Sequence, residues 1–172
     1  TALTRGPLSS TRQNLAASSA KANGITANTL ILASSPRPIG YDTGYFGGGE
    51  ITGPTMISTV DRVDYSNDTA TAPSKGPLSV ARNTLAATGN SSYGYFGGGQ
   101  LASGGNLIST VDRVDYSNDT ATASPKGPLS LARQSLAATG NSSYGYFGGA
   151  SAVPGPKSTV DRIDYSNDTA TA

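Results

Sequence analysis

The sequence predicts an all-β fold built from repeats, and two observations carry this prediction. First, marker motifs recur: GYFGG at 44–48, 94–98 and 145–149, and STVDR at 58–62, 109–113 and 158–162. Successive copies lie 49 to 51 residues apart, a period typical of proteins that stack one structural unit several times. Second, short aromatic and β-branched segments alternate with Gly, Pro, Asn and Ser turns, and no convincing helical apolar stripe exceeds two turns. The chain therefore has units of short strands.

The second repeat is the clearest example of the predicted unit. Its four antiparallel strands are expected at 85–89, 93–96, 109–116 and 120–123. The Asn-Ser-Ser segment at 90–92 suits a tight hairpin turn, and the glycines at 97–99 allow a bend or a positive φ. In the third strand, two sets of side chains alternate from face to face. Pro125 and Pro128 are expected to interrupt strand structure and to begin the connection to the next unit.

The chain divides into three such units, which we place at 1–72, 73–123 and 124–172. The first unit carries an insertion at about 19–42, because Leu15 and Tyr45 are thirty residues apart whereas Leu85 and Tyr95 are ten apart. The insertion contains an apolar run at 29–33 and the Pro-Arg-Pro sequence at 36–38. It either extends a hairpin or forms a separate loop. The chain begins at Thr1 without Met, so we expect a processed product or a piece of something longer.

These residues resemble kelch repeats. A kelch unit has a di-glycine after an aromatic pair, here Tyr95-Phe96-Gly97-Gly98, then a tyrosine near the end of its third strand, here Tyr116, and a Pro…Arg linker. The kelch tryptophan of the fourth strand is absent, with small residues in its place. The resemblance assigns a structural role to the following residues: Gly47, Gly48, Gly97, Gly98, Gly148, Gly149, Tyr65, Tyr116, Tyr165, Arg12, Arg82 and Arg133. The repeat sequence is also loosely similar to repeats in structural proteins of marine phages and environmental sequences.

The resemblance implies a β-propeller of four-stranded blades, with three blades in this chain. Propellers typically contain four to eight blades, so three blades imply a larger ring or one closed by a dimer. Stacking of blades would cover the Leu, Val, Tyr and Phe side chains on both faces of each sheet. The small side chains of the LAATG segments suit the crowded strands near the axis.

Composition excludes several classes of function. Only 13% of residues are charged and the net charge is +1, so we expect neither a nucleic-acid partner nor membrane insertion. The longest apolar run, at 30–33, is too short to span a bilayer. The chain has no His and no Cys, which removes the commonest general base and metal ligand and also the thiolate sites. We therefore expect no enzyme, no metal and no cofactor.

Three kinds of repeated residue have a functional and a structural interpretation. The cluster Asp112-Arg113-x-Asp115 and its copies could contact a cation or glycan, or Arg113 could pair with Asp115, which could also pair with the linker arginines Arg82 and Arg133. The Asn-x-Ser/Thr patterns could be glycosylated, or they could be ordinary turns. The tyrosines could stack on sugars or form the core: Tyr93, Tyr95, Tyr144 and Tyr146. The structural interpretation is favoured in each case.

The variable parts of the repeats predict where partners bind. Sequence differences concentrate in the loop after the di-glycine, at 50–57, 100–108 and 150–157, and in the insertion. Candidate partner or glycan contacts are Glu50, Thr55, Gln100, Asn106, Lys157, Arg37 and Tyr41. Constant scaffolds with one variable loop per unit are typical of repeat proteins that bind partners. We expect a non-enzymatic structural, assembly or protein-interaction module of an extracellular or virion-like particle, which self-associates or contacts neighbouring subunits. A glycan-binding propeller is the alternative.

Overall fold

The structure, a computed structural model, describes residues 3–19, 43–53, 55–101 and 106–172, with the backbone alone at Ser19. It confirms the predicted all-β class. Three sheets follow one another along the chain, and the predicted insertion lies almost wholly outside the described residues. Within each sheet, strands that follow one another along the main repeat are antiparallel neighbours.

The strands have the following bounds. The first sheet contains β1 (Ala16–Ser19), β2 (Thr43–Gly47), β5 (Val60–Asp64) and β6 (Ser74–Lys75), and a small hairpin of β3 (Glu50–Ile51) and β4 (Thr55–Met56) projects between β2 and β5. The second sheet contains β7 (Ala86–Gly89), β8 (Tyr93–Gly97), β9 (Val111–Asp115) and β10 (Ser124–Lys126). The third contains β11 (Ala137–Gly140), β12 (Tyr144–Gly148) and β13 (Val160–Asp164). Short 3-10 helices follow β5 at Tyr65–Asn67 and β9 at Tyr116–Asn118.

The fourth strand differs from its predicted position. The sequence interpretation placed it at 120–123 and ended it before Pro125, but β10 is Ser124–Lys126 and contains that proline. Pro125 is tolerated because β10 is at the edge of its sheet, where a missing N–H leaves no ladder bond unmade. Part of the predicted strand instead contacts the preceding linker, since the Ala123 amide donates to the Pro77 carbonyl at 2.8 Å.

Consecutive sheets pack face to face through a phenylalanine on a glycine. A Cβ built on Gly47 would lie 2.7 Å from the Phe96 ring, and one on Gly97 would lie 2.8 Å from the Phe147 ring. These distances are shorter than real side chains tolerate, so the di-glycine strand needs glycine there to let the next sheet approach. Phe96 and Phe147 are both fully buried. The next residue, Gly98, favours glycine for a different reason, because its φ is +67°.

The first strands of the three sheets lie side by side, because β1 contacts β7 and β7 contacts β11. Hydrogen bonds link the residues just before them: the Thr84 amide donates to the Asn14 carbonyl at 2.8 Å, and the Ser135 amide donates to the Thr84 carbonyl at 2.8 Å. The beginnings of these strands are therefore aligned, and equivalent loops of the three sheets emerge at the same end. Apolar clusters fill both spaces between sheets.

Candidate interaction surface

A buried arginine–aspartate pair ties each linker to its own sheet. In the second sheet, Arg82 Nη1 lies 2.9 Å from Asp112 Oδ2, and both side chains are fully buried. Arg82 Nη2 also donates to the Phe96 carbonyl at 3.0 Å, and the Ser79 amide donates to Asp112 at 3.0 Å. Burial lowers the pKa of Arg82, and the charge of Asp112 opposes that effect. The guanidinium thus fixes the linker against two strands.

The same pair recurs in the other two sheets. Arg12 lies 3.0 Å from Asp61, and Arg133 lies 2.9 Å from Asp161. Their guanidinium groups also donate to the carbonyls of Phe46 and Phe147, at 3.1 Å in both cases. The expectation that a linker arginine would pair with Asp115 is wrong, because its partner lies three residues earlier on the opposite face of β9.

Asp115 and its counterparts cap turns instead. Asp64 Oδ1 accepts hydrogen bonds from the Ser66 hydroxyl at 2.6 Å and amide at 2.9 Å, and Asp115 does the same with Ser117. These hydrogen bonds hold the pKa of Asp64 below its usual value. Pairing of Arg113 with Asp115 is also wrong. Arg113 reaches instead across to the third sheet, where it lies 2.7 Å from Asp168.

Two aspartates, Asp119 and Asp168, hold neighbouring sheets together. Asp119 follows the third strand of the second sheet and contacts three side chains of the first sheet: Arg62 at 2.8 Å, the Tyr45 hydroxyl at 3.1 Å and Lys75 at 3.3 Å. Burial, together with the charge of Asp119, raises the pKa of Tyr45 to about 12. We missed these residues in the sequence because Ser-Asn-Asp was interpreted as a turn. Their identical position in the three copies was the available signal.

Asp168 repeats this arrangement one sheet further on. It contacts Arg113 at 2.7 Å, the Tyr95 hydroxyl at 2.9 Å and Lys126 at 3.7 Å, all in the second sheet. Burial raises the pKa of Tyr95, and the hydrogen bond to Asp168 acts in the same direction. The two networks have the same members at the same places, so this cluster is a repeated connection between sheets.

The tyrosines considered for sugar stacking lie in different environments. Tyr95 is fully buried, and its ring stacks on Tyr165 with centroids 4.7 Å apart. The Arg113 guanidinium lies 4.3 Å from the centroid of the Tyr93 ring, and the Arg162 guanidinium lies 4.6 Å from the centroid of the Tyr144 ring. Of this set, Tyr95 offers no surface to a ligand, whereas Tyr93 and Tyr144 are half-buried.

The asparagine turns use their side chains to shape the backbone. Asn90 Oδ1 accepts from the amides of Ser92 at 2.8 Å and Tyr93 at 2.9 Å. Asn141 makes the equivalent two bonds. This geometry is the self-bonded turn that asparagine favours, and it starts β8 and β12 in their correct registers.

The variable loops gather at one end of the three sheets. Glu50, Gln100 and Ser151 occupy equivalent places, each bridged to the linker of its own sheet. Glu50 also accepts a hydrogen bond from Asn83 Nδ2 at 2.8 Å, which joins the first loop to the second linker.

Five of the candidate partner contacts therefore lie at this loop end. Thr55 and Asn106 are exposed, Glu50 and Lys157 are half-buried, and Gln100 lies at the start of the second loop. The structure brings these five residues together across the three sheets, and we call this surface the loop band. Arg37 and Tyr41 lie outside the described residues.

Two cavities lie away from the loops. One, of about 180 Å³, is lined by uncharged residues of the first strands and their neighbours, among them Ser18, Thr88 and Gly140. The other, of about 390 Å³, is an open groove lined by Asn90, Ser142, Ser143, Tyr144, Asp164, Tyr165 and Ser166. No group of His, Cys, Asp and Glu residues within the described ranges could hold a metal ion. Across those same ranges, no helix has the length and apolar character needed to cross a membrane.

Comparison with known proteins shows the fold. No family model matches the chain, and no curated protein matches it. The structure is similar to a solved structure titled "Structure of YjhT", with a TM-score of 0.68 at 12% sequence identity. The similarity covers 92% of this chain and 44% of that one, so the chain spans less than half the length of YjhT. A likeness at this identity concerns the fold alone.

Proposed function

We propose that the chain is a three-bladed part of a kelch-like β-propeller and acts as a non-enzymatic structural or protein-interaction module. Each sheet would be one blade, with its first strand toward the axis. The side-by-side first strands and the Phe-on-Gly stacking of successive sheets support this architecture. The low charge and the Ser, Thr and Asn content support an extracellular or virion-like particle as its setting.

One observation carries the proposal: repeated polar residues hold the sheets together, whereas the variable residues lie together at one end. Asp112 and Asp168, which could have been catalytic or ligand-binding carboxylates, are both engaged by arginine. A partner would then contact the loop band through residues such as Thr55, Asn106 and Lys157. Arg37 and Tyr41 stay in the proposed contact set from the sequence alone.

Loop replacement tests this proposal. In one variant, residues 151–157 are replaced by the sequence of residues 50–57, so that Glu takes the place of its equivalent Ser151, and assembly into particles or filaments is followed by electron microscopy. We expect the variant to fold, as judged by circular dichroism, and to lose assembly or partner contacts. A matched control exchanges Ser142 for Thr at the opposite end of the third sheet. Unchanged assembly by the loop variant would contradict binding through these loops.

Glycan binding is the second candidate, and the groove beside Tyr144 favours it. This groove has an aromatic ring, an amide and a carboxylate within reach of one ligand, which are groups that sugars use for stacking and hydrogen bonding. A glycan array with wild-type protein and the Tyr144→Ala variant distinguishes the two candidates. Sugar binding that is lost in the variant would favour the lectin, and silence of both proteins would favour the assembly module.

A further inference from the structure

Two exposed apolar side chains, Tyr65 and Val160, lie on the outer faces of the first and third sheets, which no other sheet covers in the described structure. In the described part of the chain the exposed large hydrophobic residues are Leu3 at 70%, Tyr65 at 49%, Val153 at 83% and Val160 at 62%. Val153 belongs to a variable loop. Val160, however, has fully buried counterparts in Val60 and Val111, and Tyr65 corresponds to Tyr116, which is 4% exposed. The same residues are covered where a neighbouring sheet is present.

The third-sheet face consists of Tyr146, Gly148, Val160 and Arg162, and its counterparts in the second sheet show what should cover it. Tyr95 is stacked on Tyr165 and bound to Asp168. Gly97 receives the Phe147 ring, and Arg113 binds Asp168. β9 pairs with β10, whereas β13 has no strand on its outer edge among the described residues. The third-sheet face therefore fits a tyrosine, an aspartate, a phenylalanine and a short strand in fixed positions.

The first-sheet face consists of Arg5, Phe46, Tyr65 and Asp68. It therefore offers the phenylalanine, the tyrosine and the aspartate that fit the third-sheet face. Phe46 corresponds to Phe147, Tyr65 to Tyr165 and Asp68 to Asp168, by their positions in the repeat. Phe46 is only half-buried, whereas Phe96 and Phe147 are fully buried. Asp68 binds Arg5 at 3.1 Å, just as Asp119 binds Lys75 and Asp168 binds Lys126. In the described structure, Asp68 contacts neither a tyrosine hydroxyl nor a second cation, unlike Asp119 and Asp168.

Residues 3–5 are already held where an outer strand begins. The Gly6 amide donates to the Asp68 carbonyl at 2.7 Å, matching the bond from Gly76 to Asp119 at 2.8 Å and the bond from Gly127 to Asp168 at 2.8 Å. In the latter two repeats, the residues just before the glycine are β6 and β10, the outer strands of the preceding sheets. Residues 3–5 have the same anchor but no sheet to join in the described structure.

We propose that the first-sheet face of one copy of this chain binds the third-sheet face of a second copy. Residues 3–5 then pair with β13, in the register that places Arg5 opposite Val160, as Lys75 lies opposite Val60. Tyr65 stacks on Tyr146, Phe46 packs on Gly148, and Asp68 accepts from Tyr146 and Arg162. Two copies closed through two such contacts place six sheets in one ring, within the range of four to eight that propellers use. This surface is separate from the loop band.

Charge reversal and its rescue test the proposal on the 172-residue chain. Sedimentation equilibrium should show a species of twice the 17.3 kDa chain mass. Asp68→Lys places two cations together in both contacts of the ring, and Arg162→Glu places two carboxylates together. Each variant should weaken dimerisation by at least about 100-fold, since juxtaposed like charges at an interface are strongly unfavourable. Circular dichroism and urea unfolding check that both variants fold.

Rescue makes the test specific. An equimolar mixture of Asp68→Lys and Arg162→Glu chains should form a mixed dimer, because one contact then has reversed charges and the other is wild type. The double variant should dimerise by itself for the same reason. Lys157→Glu, in the loop band, is the control and should dimerise like wild type, so failure of the loop proposal and failure of this one are distinguishable. A wild-type monomer at every concentration, an open series of larger species, or charge reversals that leave the dimer unchanged would overturn the proposal.

Discussion

The second and third sheets contain nearly the same residues in different surroundings. Val111 in the second sheet is fully buried, whereas Val160 in the third is 62% exposed. Arg113 binds Asp168 of the next sheet, whereas Arg162 is exposed and contacts Tyr144. The difference lies in the neighbour, because within the described residues the second sheet has a sheet on both faces and the third has one on a single face. In such a repeat protein, the environment of a residue depends on the adjacent unit as much as on its own sequence.

Other features are the same in both sheets. Arg82–Asp112 and Arg133–Asp161 each have an N–O distance of 2.9 Å, and all four side chains are buried. These pairs lie within a sheet and its linker, so an absent neighbour does not alter them. The repeated residues therefore divide into a within-sheet group, which is constant, and a between-sheet group, which depends on stacking.

The largest expected effect concerns the within-sheet group. Asp112→Ala and Asp161→Ala should each lower the free energy of unfolding by about 3–5 kcal/mol, because each leaves a buried guanidinium without its carboxylate. The two losses should be similar despite the different surroundings of the sheets. Urea unfolding followed by circular dichroism measures both. A loss below about 1 kcal/mol for Asp161→Ala alone would contradict the division made above.

Glycine-to-alanine substitutions should distinguish the two sheets. Gly97→Ala places a methyl group 2.8 Å from the Phe147 ring, and such overpacking costs about 1–3 kcal/mol. Gly148→Ala is the matched control, because the nearest atom to its new Cβ is Val160 Cγ2 at 3.5 Å, an ordinary contact. Both are to be measured at concentrations where sedimentation shows a monomer. Equal destabilisation of the two variants would argue against the Phe-on-Gly packing.

Valine truncation should give a smaller difference in the same direction. Val111→Ala removes two buried methyl groups, worth about 1.6 kcal/mol at roughly 0.8 kcal/mol each. Val160→Ala should change the monomer by less than about 0.5 kcal/mol, as is usual at exposed positions. Thermal unfolding of dilute samples compares them. If Val160→Ala were as damaging as Val111→Ala in the monomer, the outer face of the third sheet would already be covered within the chain.

A further expected effect, which appears only at high pH, is a loss of stability in alkali. The pKa of Tyr45 is raised to about 12 in the folded protein, against about 10 in an unfolded chain. Its contribution is therefore complete below pH of about 10 and is lost as pH rises toward 12, because the unfolded chain ionises first. The pKa of Tyr95 is shifted in the same direction.

Urea midpoints on either side of that pH, compared between variants, measure this effect. Tyr95→Phe should reduce the alkaline loss of stability, and Tyr146→Phe, on the uncovered face, is the control. If the wild-type midpoint were constant up to pH 12, burial of the covered tyrosine hydroxyls would be refuted.

The sequence predicted the repeated unit well where the signal was local. The aromatic strand β8 and the alternating strand β9 lie close to their predicted positions, because composition and period define them directly. The fourth strand was misplaced, since Pro125 is acceptable only at a sheet edge and edge position is a property of the whole sheet. The role of Asp119 in joining two sheets was not predicted, because its partners, such as Arg62, are 57 residues away along the chain. Contacts between repeats leave no local pattern beyond their regular recurrence.

A comparison of amide hydrogen exchange in β13 with that in β9 tests the central claim most directly. The claim is that the same repeated residues join every pair of neighbouring sheets, including sheets that belong to two different copies of the chain. The amides of Val111–Asp115 should exchange slowly and at the same rate across concentrations, because β9 lies between two strands. The amides of Val160–Asp164 that face the outer edge should exchange quickly below the concentration at which the dimer forms. Above it they should be protected to the level of β9. Exchange of β13 that remains fast when the dimer is fully formed would contradict the claim.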